Sequence, residues 1–218
     1  MILSSQDLRQ SLIDASIDAE IQRINVGTTG NMSVRTDQGM LITPSGIPPR
    51  ELAPDMIVAM DLDGDWSGKV KPSSEWALHS ALYRRRPEIR AVVHAHPDHC
   101  VALSCARIGL PAFHYMIAGF GGDDVRCSRY ATFGSPALGE ATVEAMENRT
   151  ACLLANHGMV TAGSTLADAY GRALKLETLA RQYMLCRSFA EPVLLNRNEL
   201  VEVEQRYKTY GRQDALKA

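Results

Sequence analysis

The run Ala91-Val92-Val93-His94-Ala95-His96 constrains this chain more than any other segment. Its apolar start reads as a short buried strand. In a strand, residues i and i+2 point to the same face. His94 and His96 therefore project together from one edge, as the two arms of a metal-binding pincer would. A histidine pair serves packing or hydrogen bonding equally well, so its meaning depends on what the rest of the chain supplies.

With 218 residues, the chain suits one domain with a full hydrophobic core, or at most two small ones. A hydrophobic content of 45% and a charged content of 22% are ordinary for a soluble globular protein. The formal net charge of -2 provides no basic field for nucleic acid. The basic run Arg84-Arg85-Arg86 precedes Pro87, at a helix end where cations suit the dipole. Five cysteines, an odd number without a C-x-x-C pair, argue against a disulfide framework or a zinc ribbon. Reduced thiols fit a cytoplasmic protein. Met1 to Asp7 shows no secretory signal, and no apolar segment approaches membrane-spanning length. The expectation is a protein with neither a membrane nor a nucleic-acid partner.

Helical spacing of Leu8, Leu12, Ile13, Ile17, Ile21 and Ile24, after a capping box of Ser4 and Asp7, predicts a first helix ended by Gly27. Residues 31–35 and 40–43 flank a hairpin turn, and 57–60 make a third strand. The acidic stretch Asp61 to Asp65 is a polar turn; an EF-hand would need a glutamate where Pro72 stands. Helices are expected from Pro72-Ser73-Ser74-Glu75 to about Arg86, from Pro97 to Gly109, and from Ser135-Pro136 onward. An apolar strand at 151–154 runs into Asn156-His157-Gly158. A long helix follows Ser164 or Thr165, and a last one lies near 198–207. Helices separating short strands predict a single α/β domain with helices covering a central sheet.

His157 follows an apolar strand, where a rigid sheet presents functional groups. With His94 and His96 it offers three ligands and an open position, a recognised catalytic zinc pattern. The competing reading is three unrelated, locally bonded histidines. His79 lies four residues after Glu75, so a shared-face ligand pair or a side-chain hydrogen bond is possible. No role is assigned to His99 or His114.

Three turns could hold an anion: Gly27-Thr28-Thr29-Gly30-Asn31, Thr43-Pro44-Ser45-Gly46, and Ser73-Ser74 at a helix start. Ser73-Ser74 also reads as a plain helix cap. Glu75, just after them, either complements the helix dipole or acts as a general base beside a metal.

These segments, with His114-Tyr115-Met116-Ile117-Ala118, Tyr130-Ala131-Thr132-Phe133-Gly134 and the tail Lys208-Thr209-Tyr210-Gly211, together resemble the class II aldolase/adducin family over nearly the whole chain. The resemblance implies a mostly antiparallel sheet with helices on both sides, spanning 1–218, with a mobile C-terminal tail from about 208. It implies Zn²⁺, with Mn²⁺ or Co²⁺ as substitutes, held by His94, His96, His157 and a movable Glu75 that is also the base. Thr29, Gly30, Asn31, Ser45, Gly46, Ser73 and Ser74 become the phosphate site. Tyr115 becomes a catalytic residue. Tyr115 and Phe133 are placed in a neighbouring subunit's site within a cyclic homotetramer, and Tyr210 in a cover over it.

The reaction implied is retro-aldol cleavage of a ketose 1-phosphate to dihydroxyacetone phosphate and an aldehyde. L-fuculose, 5-deoxyribulose and 5-methylthioribulose 1-phosphates are the candidates. A ribulose-phosphate 4-epimerase shares the triad, but Asp typically follows its two serines. An adducin-like interaction module lacks the zinc histidines. Ala95, Pro97 and Asn156 depart from the usual aldolase residues, and Phe120 and Asp123 lie in a variable loop.

Overall fold

The computed structural model describes residues 4–211. The expected hairpin forms as β1 (Asn31–Thr36) paired with β2 (Gly39–Ile42), and β3 (Val58–Met60) and β4 (Trp66–Ser67) extend it. The run that ends in the histidines is β5 (Ala91–Ala95). Leu110–Pro111 (β6) and Asp124–Val125 (β7) make a separate small ribbon. β8 (Ala151–Leu154) and β9 (Gly158–Gly163) form the second hairpin. The main sheet runs β4-β3-β2-β1-β5-β9-β8 with every pairing antiparallel.

β5 is central and buried on both faces. Ala91, Val93 and Ala95 join one apolar cluster with α1 (Ser5–Ile21), α3 (Asp98–Cys105) and α5 (Leu166–Arg187). Val92 faces the other, built on α2 (Trp76–Arg85) and α4 (Pro136–Ala145). Each large apolar side chain so buried contributes roughly 1.5–3 kcal/mol. Strand alternation puts His94 on the Val92 face, toward α2. Helices thus cover both faces of the antiparallel sheet, as the family resemblance implies.

Several boundaries differ from the sequence reading. The capping box of Ser4 and Asp7 forms, but α1 stops at Ile21 because Arg23 turns left-handed at φ 57 and the Ile24 N–H bonds back to Ala19. α3 ends before Gly109, where Arg107 takes φ 56. α2 starts at Trp76, leaving Glu75 as its cap residue. α6 (Arg197–Tyr207) begins at an Asn196–Glu199 capping box. The acidic stretch is a polar turn in which Asp61 Oδ1 accepts the N–H groups of Asp63, Gly64 and Asp65. Phe120 is wholly buried, and Asp123, its side chain largely exposed, pairs with Arg149. The tail expected from about 208 lies, beyond Gly211, outside the described residues. No helix among the described residues is long and apolar enough to cross a membrane.

Candidate metal centre and active site

The ends of β5 and β9 and the start of α2 meet at one point. His94 is the fourth residue of the fully buried β5, and His96 lies two residues on, just beyond the strand's end. The peptide N–H of His96 donates to Asn25 Oδ1 at 3.0 Å, which fixes the strand exit. The Asn25 amide in turn packs against Gly30 so closely that any side chain at Gly30 would overlap it.

His157 sits in the β8–β9 hairpin turn. Asn156 takes φ 55 there, a left-handed conformation that asparagine tolerates better than most residues. The turn is anchored to the end of α3. Asn156 N–H donates to the Ser104 carbonyl, His157 N–H to Ser104 Oγ, and Arg107 Nε to Asn156 Oδ1. Gly158 must lack a Cβ, since the Ala95 carbonyl and the His96 ring occupy that space.

Four ligand atoms converge, one each from Glu75, His94, His96 and His157, all within 4.8 Å of one another. His94 Nε2 lies 2.8 Å from His96 Nε2 and 3.0 Å from Glu75 Oε2, and His157 Nε2 lies 3.4 Å from Glu75 Oε1. Tetrahedral zinc with bonds near 2.0–2.1 Å holds its ligands roughly 3.3 Å apart, which these separations bracket. His94 Nδ1 donates to the Met159 carbonyl at 2.9 Å, leaving Nε2 to face the centre. Glu75 Oε1 is buried with no hydrogen-bond partner. Crowded acceptors and an orphaned carboxylate oxygen are what a cation would satisfy, so the donor set fits a divalent ion.

The electrostatics agree. Burial works to raise the Glu75 carboxyl. The hydrogen bond and charge of His94, the charge of His157 and the Asn31 hydrogen bond overcome it and hold the group well below the usual carboxylate range. Burial, then the neighbouring histidine charges, push His96 down to about 3, and burial, then His94, pushes His157 down to about 4. Neutral imidazoles are the form that ligates a metal.

A cleft of about 270 Å³ opens over this centre, lined by Ser74, Glu75, His96, Tyr130, Ala131, Phe133, Asn156 and His157. Phe133 lines this cleft in its own chain. Tyr115 and Tyr210 do not line it. Tyr115 is half exposed and stacked on His114, and Tyr210 packs edge-on to Tyr207.

The anion turns come together in two groups. Thr29, Gly30 and Asn31 border a small crevice with Thr43 and Pro44. A bridge between Pro44 and Pro72 lays the Ser45-Gly46 turn beside Ser73-Ser74. Ser73 Oγ accepts the Glu75 N–H at 3.3 Å, so it caps the turn before α2. Asn31 differs from expectation: its amide donates to Glu75 Oε2 at 3.0 Å, and its oxygen faces His79. His79 forms no pair with Glu75. Sequence reasoning left Asn25 and Tyr130 without a role; Tyr130 was within reach, since it opens the quoted Tyr130-Ala131-Thr132-Phe133 motif.

The pattern of the class II aldolase and adducin N-terminal domain matches residues 10–184. The chain belongs to the class II aldolase and adducin family. A 5-methylthioribulose-1-phosphate/5-deoxyribulose-1-phosphate aldolase of Rhodospirillum rubrum is 47% identical over 94% of this chain and 92% of its own length. An L-fuculose phosphate aldolase of Escherichia coli K12 is 42% identical over 94% of this chain and 95% of its own. A solved L-fuculose 1-phosphate aldolase matches with a TM-score of 0.90 at 40% identity, covering 94% of this chain and 98% of that one. The chain is thus an aldolase, a carbon–carbon lyase, rather than an adducin-like interaction module.

Proposed function

We propose that this chain cleaves the C3–C4 bond of a ketose 1-phosphate reversibly, giving dihydroxyacetone phosphate and an aldehyde, with zinc as its metal. The observation that carries the reading is the convergence of Glu75 with His94, His96 and His157 beside two anion-suited turns. The relatives named as acting on 5-methylthioribulose, 5-deoxyribulose and L-fuculose phosphates support the substrate class.

The three histidines and Glu75 hold the ion, for which Mn²⁺ or Co²⁺ can substitute. When bound, it supplies Lewis-acid stabilisation of the negative charge that C–C cleavage leaves on the ketose oxygens. Ser45, Gly46, Ser73 and Ser74, with Thr29, Gly30 and Asn31, orient the substrate through its phosphate, using hydroxyls and backbone N–H groups of the turns. Glu75 Oε1, which has no hydrogen-bond partner, gives a proton to C3 in cleavage and removes it in condensation. Tyr115 of a second copy relays the C4 hydroxyl proton as the aldehyde forms, passing its own phenolic proton on, so that the proton lost at C4 balances the one that Glu75 places on C3. Phe133 borders the aldehyde side, and Tyr210 belongs to a C-terminal segment covering it. A homotetramer with sites between subunits, working in the cytoplasm, completes the proposal.

The test is release of dihydroxyacetone phosphate from fuculose, ribulose, 5-deoxyribulose and 5-methylthioribulose 1-phosphates. Release from at least one supports the reading, and none from any contradicts it.

A further inference from the structure

His79 is wholly buried and is not among the residues lining the cleft. Its ring nitrogens face β1: Nδ1 is 2.7 Å from Ser33 Oγ, and Nε2 is 2.6 Å from Asn31 Oδ1. Two periodicities make this match. Asn31 and Ser33 share a strand face two residues apart, while His79 and Tyr83 share a helix face four apart. Ser33 Oγ also lies 2.8 Å from the Tyr83 hydroxyl. At the other end, Asn31 stands directly across from His94 in the β1–β5 register, and its Nδ2 reaches Glu75.

The direction of every bond follows from the carboxylate. Ionised Glu75 only accepts, so Asn31 turns its NH₂ toward it and its Oδ1 toward His79. An amide oxygen only accepts, so His79 carries its proton on Nε2. Nδ1 then accepts, which makes Ser33 the donor, and the Ser33 oxygen takes the Tyr83 proton in turn. The donors all run one way and end on Glu75 Oε2. The other oxygen, Oε1, is left without a hydrogen bond.

We infer that Tyr83, Ser33, His79 and Asn31 form a positioning relay that pins Oε2 of Glu75 and reserves Oε1 for proton transfer. The inference rests on the reading of Glu75 as the base. His79 acts only through Asn31. Without the Nε2 donor, the Asn31 amide is free to turn over and present its oxygen to the carboxylate, and the two acceptors repel. Glu75 then leaves the orientation in which Oε1 meets the substrate.

Two substitutions separate this from a packing role. His79→Gln places an amide N–H near the former Nε2–H, whereas His79→Asn is too short to reach Asn31. With zinc content matched to wild type, H79N is expected to lose about 10–100-fold in kcat, with little change in KM, and H79Q to recover most of it. In the zinc-free protein, the Asn31 side-chain amide protons should exchange slowly in wild type and H79Q and quickly in H79N. Equal kcat values for the two variants, or equal amide exchange, overturn the relay. If H79N does not fold, Ser33→Ala breaks the same chain one bond earlier. It should lower kcat in the same direction, and an unchanged kcat overturns the relay. Wild-type protein that releases no dihydroxyacetone phosphate contradicts the aldolase reading instead, and the amide exchange still decides the relay.

Discussion

Glu75 Oε2 lies 3.0 Å from His94 Nε2, on a ring whose Nδ1 already donates to the Met159 carbonyl. Two acceptors this close repel each other, and a cation held between them would satisfy both. Replacing Glu75 by Gln removes the proposed base but leaves three histidines. E75Q is expected to retain about one zinc per chain and lose about 10²–10⁴-fold in kcat. Metal analysis and steady-state kinetics check both halves; turnover near wild type would refute the base assignment.

Removing a histidine acts on the other half of the site. His96→Ala or His157→Ala leaves the converging set without one neutral nitrogen. Zinc affinity, read by competition with a chelator, should fall by more than the roughly 10–100-fold typical of losing a mere supporting contact.

Gly30→Ala tests the link between the glycine turn and the metal strand. The backbone there has φ +73, and a methyl group would overlap the Asn25 amide that accepts the His96 N–H. Backbone strain of this kind costs about 1–3 kcal/mol. A fall in melting temperature of about 2–4 °C per kcal/mol is expected, with weaker zinc binding alongside. An unchanged melting curve would show that Asn25 is free to move aside.

Metal-free stability should fall on acidification. Burial, then the charge of His94, push His79 down from the ordinary 6.5 to about 3. Below pH 6.5 the unfolded chain protonates this ring while the folded chain does not, so the unfolded state binds more protons and stability drops. The contribution is complete above pH 6.5 and is lost progressively down to about pH 3. By pH 4 the loss is on the order of 3 kcal/mol from this residue. Urea unfolding of zinc-free protein across this range should show a shallower pH slope for H79Q than for wild type. Identical slopes would contradict the buried neutral ring.

The sheet's central strand and the histidine pair were legible because Ala91-Val92-Val93 is apolar without alternation and the period of two fixes where His94 and His96 go. His157 was legible from its place after Ala151-Cys152-Leu153-Leu154. The partners of His79 were not. The local rule pairs it with Glu75 across one turn, but the helix begins only at Trp76, and its true partners lie 46 and 48 residues away in β1. β9 was hidden because its alternation is masked by burial on both faces. The place of Phe133 depended on how the loop after Tyr130 folds back over Ser74 and Glu75, a tertiary contact with no local signal.

In the proposed reaction, carbon–carbon cleavage depends on a metal ion held by Glu75 and the three histidines. The direct measurement strips the protein with a chelator and adds zinc back while following dihydroxyacetone phosphate release from the ketose 1-phosphate cleaved fastest. The account predicts no release from the stripped protein and full recovery at about one zinc per chain. Release that is indifferent to stripping would contradict it.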